Sequence, residues 1–547
     1  MRIGLLTEGG YPYATGESRL WCDRLVRGLT QHEFDVYALS RSAEQEDAGW
    51  VELPPQVERV RTAPLWAPED EGRSHGRRAR KRFAGHFGEL TAGICGGDER
   101  RFAEGLYGLA EQAREQGGLH TALRSELAVR AMESACRAPG AFRAAHTATV
   151  PDFLAFADRL ERALRPLSLD WYGSDSLGAV DLCHATSGGA AALPGLLAKR
   201  FFGVPLLVTE YGVQLRAHYL AVAGGDGAGA PVRALLARFH GLLATEVYRE
   251  AALITPGNTH ARRWQERCGA DPARLRTVYP GMDAERFTEV SEGEFRGDPR
   301  TLVWVGRIEP AKDLVALLHA FARVRGAEPD ARLRILATSV REPEGFAYLA
   351  HCRALAAQLF PDEAAGAHAV GDNPVSFEEI GGPEAPELAD AYAAGAVVVL
   401  SSVVEGFPVS LVEAMFCGCA TVSTDAGAVV EVIGGTGLVV PPRNPKALAD
   451  ACVALLRDPE RRARLGAAAR ARAIELFTVE QNLAAFRGIY LELLSHSCPH
   501  RDTDAPSLPF TTPAEAHVPG HWTGARNRPS WVDGALADAV TAGAPDA

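Results

Sequence analysis

An α/β protein made of two doubly wound, Rossmann-like halves is the architecture that this 547-residue sequence predicts. Three observations carry the prediction. Short apolar runs rich in β-branched residues alternate with segments of helical apolar spacing. The alternation occurs twice, once on each side of a polar linker at 291–300. In the first half a glycine-rich loop leaves the first strand directly and leads into a helix, as the opening turn of a doubly wound unit does.

The first half opens with a strand over Ile3 to Leu6, the loop Glu8-Gly9-Gly10-Tyr11-Pro12-Tyr13-Ala14-Thr15-Gly16 and a helix over Leu20 to Leu29. A second strand follows at Val36 to Leu39, and there the rhythm stops. From about 68 to 167 the chain is rich in Ala, Arg, Glu and Leu with few β-branched runs, which predicts a helical insertion. Alternation resumes with strands at Ala179 to His184, Pro205 to Thr209 and Ala252 to Thr255. Gly224-Gly225-Asp226-Gly227-Ala228-Gly229 neither follows a strand nor opens a helix directly, so it reads as a flexible surface loop rather than a dinucleotide turn. In the second half the strands are expected at Thr301 to Val305, Leu333 to Ala337, Ala396 to Leu400, Ala420 to Ser423 and Gly437 to Val440. The implied domains are 1–290, carrying the insertion, and 298–475. A terminal helix at 476–495 is expected to cross back to the first half, and a tail at 496–547 is expected to be disordered.

A hydrophobic content of 47% is ample for sizeable cores, and a net charge of −12 argues against nucleic acid as a partner of the whole chain. One basic run, Arg73 to Arg82, opposes that trend, either as a solvated helix face or as a local site for an acidic partner or membrane headgroups. The ten cysteines show no repeated pairing, and Cys22, Cys183, Cys417 and Cys419 fall in elements expected to be buried, which suits reduced thiols in a cytoplasm. Cys417-Gly418-Cys419 is too close for a zinc knuckle, and His496, Cys498 and His500 lack a second ligand cluster. The chain enters a strand at once, without the apolar stretch and cleavage site of a signal peptide, and has no uninterrupted apolar run of about 18 residues. A soluble, cytoplasmic protein is expected.

The most informative segment runs from Glu405 to Glu413. It follows the β-branched run Ala396 to Leu400, and Pro408 with the apolar residues after it predicts a helix start, so Glu405 lies in the loop and Glu413 on the first helical turns. A helix start presents unpaired N–H groups and the positive end of its dipole, which suits a phosphate without a metal. Flanked by two acceptors for sugar hydroxyls, such a phosphate describes a nucleotide-sugar site. Arg307 and Lys312 follow the first strand of the second half, where two cations can face a diphosphate and stabilise it as it departs. The bland alternative is an Arg and a Lys flanking a helix start.

Together these residues resemble the retaining glycosyltransferases of family 4, which have the GT-B fold, over roughly residues 1–495. The most specific part is Glu405-Gly406-Phe407-Pro408 through Glu413, then Ala414-Met415, Gly418 and the turn Thr424-Asp425-Ala426-Gly427. The resemblance implies that Glu405 contacts donor sugar hydroxyls, that Glu413 contacts the ribose, and that Arg307 and Lys312 grip the diphosphate. It assigns Gly16, Gly406, Phe407, Pro408, Ser410 and Leu411 to the donor site as well. It implies no cofactor and no metal ion, and Asp502-Thr503-Asp504 lies in the tail. The first half looks like the narrower PelF-type branch with its DUF3492-like region, in Glu8 to Tyr13, in Asp181-Leu182-Cys183-His184-Ala185 and in Thr209-Glu210-Tyr211-Gly212. On that likeness His184 is expected at the cleft, hydrogen-bonded to the donor sugar, and is counted as catalytic with Arg307, Lys312 and Glu405. Two positions depart from the pattern. Gly16-Glu17 stands where paired glycines are usual, and Tyr211 stands where histidine is usual, with His218 nearby as a substitute.

The implied reaction moves a hexosyl group from a nucleotide diphosphate sugar, expected to be a UDP-sugar, to a saccharide or polysaccharide acceptor. A peripheral association with a membrane synthase complex is a further implication. Two readings compete with it. One is a non-catalytic nucleotide-sugar-binding subunit of a polysaccharide assembly complex. The other is a nicotinamide-dependent oxidoreductase, whose Gly-x-Gly-x-x-Gly spacing the loop Glu8 to Gly16 does not supply.

Overall fold

A computed structural model describes residues 1–15, 18–67, 76–223, 228–288, 297–340, 343–361 and 373–496. Gly16 and Glu17, the start of the expected insertion at 68–75, most of the glycine loop at 224–227, the linker residues 291–296 and the tail from 497, with Cys498, His500 and Asp502-Thr503-Asp504, lie outside the described residues.

Two parallel sheets dominate. The first contains β1 (Arg2–Glu8), β2 (Glu33–Ser40), β3 (Val57–Pro64), β4 (Leu182–Ala185), β5 (Leu206–Glu210) and β6 (Leu253–Pro256) in the order β3-β2-β1-β4-β5-β6. The second contains β7 (Asp298–Gly306), β8 (Arg332–Ala337), β9 (Val375–Glu379), β10 (Gly395–Leu400), β11 (Ala420–Thr424) and β12 (Leu438–Val440) in the order β12-β11-β10-β7-β8-β9. The central strands are buried along almost their whole length, as helices on both faces of a parallel sheet require. Each order reverses at one point, between β1 and β4 and between β7 and β10, and ligands bind beyond the strand ends at such points.

β3 and β9 are strands that apolar patterning did not predict. Both are sheet edges, and charged residues such as Glu58, Arg59, Arg61 and Glu378 interrupt their apolar alternation.

Between β3 and β4 the chain is helical, with principal helices at Arg77–Gly96, Glu99–Gln116, Glu126–Arg137 and Val150–Leu164. The first two pack closely because Gly105 faces the other backbone, where an added Cβ would collide with the amide nitrogen of Leu90. Phe83, Phe87, Phe102, Phe153 and Phe156 join these helices to the core that covers one face of the first sheet. The last described helix, Val479–Ser495, lays Phe486, Ile489, Tyr490 and Leu493 against Ile3, Leu5, Val36 and Leu182 of that sheet. Among the described residues no helix is long and apolar enough to cross a membrane.

Candidate active site

β7 and β10 are neighbours, so the loops that leave their carboxyl ends emerge side by side. Backbone bonds join them: Val403 N–H donates to the Ala311 carbonyl at 2.9 Å, and the Ser401 hydroxyl donates to the Lys312 carbonyl at 2.7 Å. Asp313 takes a left-handed conformation (φ 48°) while its carboxylate accepts from Ala316 N–H at 3.2 Å, which starts the next helix and fixes the direction in which Lys312 leaves the turn. The Lys312 ammonium lies 2.7 Å from Glu405 Oε2, and the Ser402 hydroxyl donates to the same oxygen at 3.0 Å. Both side chains of the ion pair are largely shielded from solvent.

The helix expected after Pro408 spans Val409–Phe416. Its first N–H, of Val409, bonds the Phe407 carbonyl, and that of Leu411 bonds the Pro408 carbonyl, whereas the Ser410 N–H has no partner among the described residues. Gly406 borders open space, because a Cβ there would meet nothing within 4 Å. Phe407 is half-buried against Phe477 at 5.7 Å between ring centroids, and Pro408 is buried. Glu413 is half-buried and accepts from the Tyr392 hydroxyl at 2.7 Å. Burial pushes its carboxyl up from the ordinary value, against the opposite pull of Tyr392, Arg286 and Arg24. Arg307 is exposed and makes no hydrogen bond or ion pair among the described residues.

Two expected site residues are corrected by this geometry. Leu411 is 1% exposed and belongs to the core beneath the helix, so its side chain offers no donor contact. His184 is fully buried within β4 rather than presented at a cleft. Its Nδ1 is 2.7 Å from the Tyr490 hydroxyl and its Nε2 is 2.7 Å from the Thr209 hydroxyl. The bond directions follow from the chain of hydroxyls. Thr255 donates to the Val208 carbonyl, so it accepts from Thr209, which in turn accepts from Nε2–H and leaves Nδ1 to accept from Tyr490. Burial lowers the His184 pKa to about 3, so the ring is neutral with both nitrogens occupied and has no capacity left for a substrate. Thr186 and Ser187, half-buried beyond the end of β4, are the residues that emerge there.

The position that departs at Tyr211 is also tied down. Its hydroxyl accepts from Asn482 on the terminal helix at 2.9 Å, and its ring meets Trp21 edge-on. The His218 ring centroid lies 4.3 Å from that of His240, with the rings tilted by 48°.

Two acidic residues to which the sequence assigned no role organise the surroundings. Glu210, 1% exposed at the end of β5, accepts from Gly188 N–H at 2.8 Å, from the Tyr248 hydroxyl at 2.5 Å and from Gln265 at 3.0 Å, which anchors the loop after β4. Glu431 accepts from Thr259 N–H at 2.7 Å and from the Tyr279 hydroxyl at 2.9 Å, joining the second sheet's lobe to the segments around β6. Its signal was a lone acid in the apolar run Val429–Ile433.

The turn at 424–427 leans directly on the Glu405 loop. Ala428 N–H donates to the Gly406 carbonyl at 3.1 Å, and Gly427 has φ 58° with its missing Cβ aimed at the Glu405 carbonyl oxygen. Gly427→Ala is therefore expected to lower stability by about 1–3 kcal/mol and to displace Glu405. Chemical denaturation measures the first effect and calorimetry with a UDP-sugar the second.

Among the described residues no group of three or more His, Cys, Asp or Glu is placed to hold a metal ion. The site combines a cation paired to an acid, a second exposed cation, an unpaired helix N–H and a more deeply set carboxylate.

Residues 1–273 match a family described as a domain of unknown function, DUF3492, and residues 299–458 match the family described as glycosyl transferases group 1. The chain is 31% identical over 306 residues to the D-inositol 3-phosphate glycosyltransferase of Kribbella flavida, covering 54% of this chain and 68% of that protein. It is also 31% identical over 291 residues to the enzyme of the same name from Rhodococcus erythropolis, of which it spans only 60%. Among solved structures, the sucrose-phosphate synthase of Thermosynechococcus elongatus superposes with a TM-score of 0.54 at 18% identity, over 91% of this chain and 100% of that one. The Anabaena HepE protein in complex with UDP superposes with a TM-score of 0.53 at 15% identity, over 90% and 100%. These likenesses establish the GT-B fold, with its two Rossmann-like sheets.

Proposed function

The chain belongs to the group 1 glycosyltransferases, and from that premise we propose that it moves a hexosyl group from a UDP-sugar to a saccharide or polysaccharide acceptor with retention at the anomeric carbon. The observation that carries the reading is the Lys312–Glu405 pair, 2.7 Å apart, with Glu405 in the loop that leads into the helix whose Ser410 N–H has no partner among the described residues. A diphosphate entering there gains the Lys312 ammonium, the helix N–H and the exposed Arg307 guanidinium. Glu405, released from Lys312, accepts from sugar hydroxyls, and Glu413 with Tyr392 receives the ribose. The base is taken to be uracil because the Anabaena protein was solved with UDP.

In the proposed reaction the bond from the anomeric carbon to the diphosphate oxygen breaks as the acceptor oxygen bonds the same face of that carbon. The acceptor proton passes to the departing phosphate oxygen. Such a step asks the protein for positive charge at the leaving group rather than for a base. A neutral His184 with both nitrogens occupied is in keeping with that demand. In this reading residues 298–475 hold the donor, residues 1–290 hold the acceptor, and the helix at 476–495 straps them together. The chain is placed on the PelF-like branch and in the cytoplasm, with any membrane synthase complex as a peripheral partner.

Arg307→Ala is expected to weaken UDP, GDP and ADP sugars by the same factor, about tenfold for one lost charge-assisted contact, as read by calorimetry. A loss confined to one base would place Arg307 at the nucleobase and overturn its assignment to the diphosphate. Retention itself is tested by the configuration of the product at its new linkage, read from NMR coupling constants. Trapping of a glycosyl adduct on Glu or Asp would replace the same-face route with a double displacement.

A further inference from the structure

The start of the helix Arg77–Gly96 carries a charge arrangement that works against its own stability. Residues 77–82 read Arg77, Arg78, Ala79, Arg80, Lys81, Arg82. Gly76 is the N-cap and gives no side-chain cap, and the first turn contains no acidic residue. Cations at a helix N-terminus oppose the macrodipole, and like charges three and four residues apart, as in Arg77 with Arg80 and Lys81 or Arg78 with Lys81 and Arg82, repel one another. Among the described residues only Arg82 is compensated, by Glu115 at 2.8 Å. Arg77, Arg78, Arg80 and Lys81 are exposed and form no ion pair among the described residues. The first buried side chain of the helix is Phe83, so these cations project past the core, while the Gln112 side chain holds the Ala79 carbonyl at 3.0 Å and keeps the tip attached to the next helix.

A chain of net charge −12 that concentrates cations without an ion pair among the described residues at the unfavourable end of a helix has placed them where an outside anion relieves the repulsion. We propose that this tip docks the protein on an anionic lipid bilayer through phosphate-bearing headgroups. Three features favour that partner over an acidic peptide or a nucleic acid. Among the described residues the tip, Arg77 to Arg82, has no buried apolar anchor of the kind on which peptide interfaces depend. The net charge of −12 works against a polynucleotide, whose binding needs a basic surface. Attraction to a charged bilayer requires neither groove nor register, only several cations within a Debye length of the surface. The proposal is independent of the donor assignment, since none of these residues belongs to the site at β7 and β10.

The test is co-sedimentation of the full-length chain with vesicles of phosphatidylcholine alone and of phosphatidylcholine with equal phosphatidylglycerol. The expected result is binding to the anionic vesicles only, weakening steeply as salt is raised. Substituting Arg77→Ala, Arg78→Ala, Arg80→Ala and Lys81→Ala together should weaken that binding by at least about tenfold, with an unchanged or higher thermal midpoint and unchanged donor turnover. The variant Arg77→Lys, Arg78→Lys, Arg80→Lys should retain binding, because it keeps the charge. Equal binding by the alanine variant, equal binding to neutral vesicles, or capture by RNA or an acidic peptide with no vesicle binding at the same salt would each overturn the proposal.

Discussion

Lys312→Ala is expected to reduce hexosyl transfer by about 10²–10³-fold, the loss seen when a preorganised group facing transition-state charge is removed. In the proposed reaction the ammonium faces the departing diphosphate, and its carrier turn is locked by Ser401, Val403 and Asp313. The effect should fall mainly on kcat, since an interaction that strengthens as charge develops is missed most in the transition state. Glu405 complicates the single substitution, because losing Lys312 leaves a shielded carboxylate with only Ser402 and a weak bond from Gly406 N–H. The double variant Lys312→Ala, Glu405→Gln removes that uncompensated charge. If it recovered most of the activity, the defect would lie in the stranded carboxylate rather than in lost stabilisation of the leaving group. Steady-state kinetics with a UDP-sugar panel, together with thermal midpoints of the three proteins, separates these outcomes.

The second large effect concerns acid. His184 has its pKa lowered from 6.5 to about 3 by burial, and His240 is also lowered to about 3, by burial and then by the neighbouring His218. Unfolding returns both to the ordinary value, so between those limits the unfolded chain binds more protons than the folded one. Their contribution to stability is accordingly complete above about pH 6.5 and is lost as pH falls through the window down to about 3. Each ring contributes about 1.4 kcal/mol per pH unit. Denaturation midpoints measured at successive pH values should fall steeply across this window, and His184→Gln should flatten the slope by one proton even if it lowers stability throughout. An unchanged slope in that variant would show that His184 is protonated in the folded protein.

How far the sequence exposed this site depended on whether a feature was local. The loop and helix after β10 were legible because a β-branched run, Glu405, Pro408 and Glu413 lie within one short stretch, and strand, turn and helix start each leave a mark there. The edge strands β3 and β9 were not, because half-polar alternation beside charged residues matches a surface loop as well as a strand. His184 was misplaced for a different reason. Its position in a strand is plain, but the hydroxyls that consume its nitrogens come from Thr209 and from Tyr490, 306 residues away. Leu411 shows the same limit at short range, since one residue's rotation about a helix decides between ligand and core. The interlobe contact of Glu431 with Thr259, 172 residues apart, left only the oddity of an acid among valines.

Glu431 sits four positions beyond a glycine whose backbone abuts the carbonyl of Glu405, so a single short stretch of chain touches both the proposed sugar-nucleotide grip and the opposite lobe. Thermodynamic linkage then forces a symmetry on the two events. By whatever factor an occupied grip tightens the hold on Thr259, a tightened hold on Thr259 must raise the affinity of the grip by that same factor, so lobe clasping and ligand retention are one equilibrium viewed from its two ends.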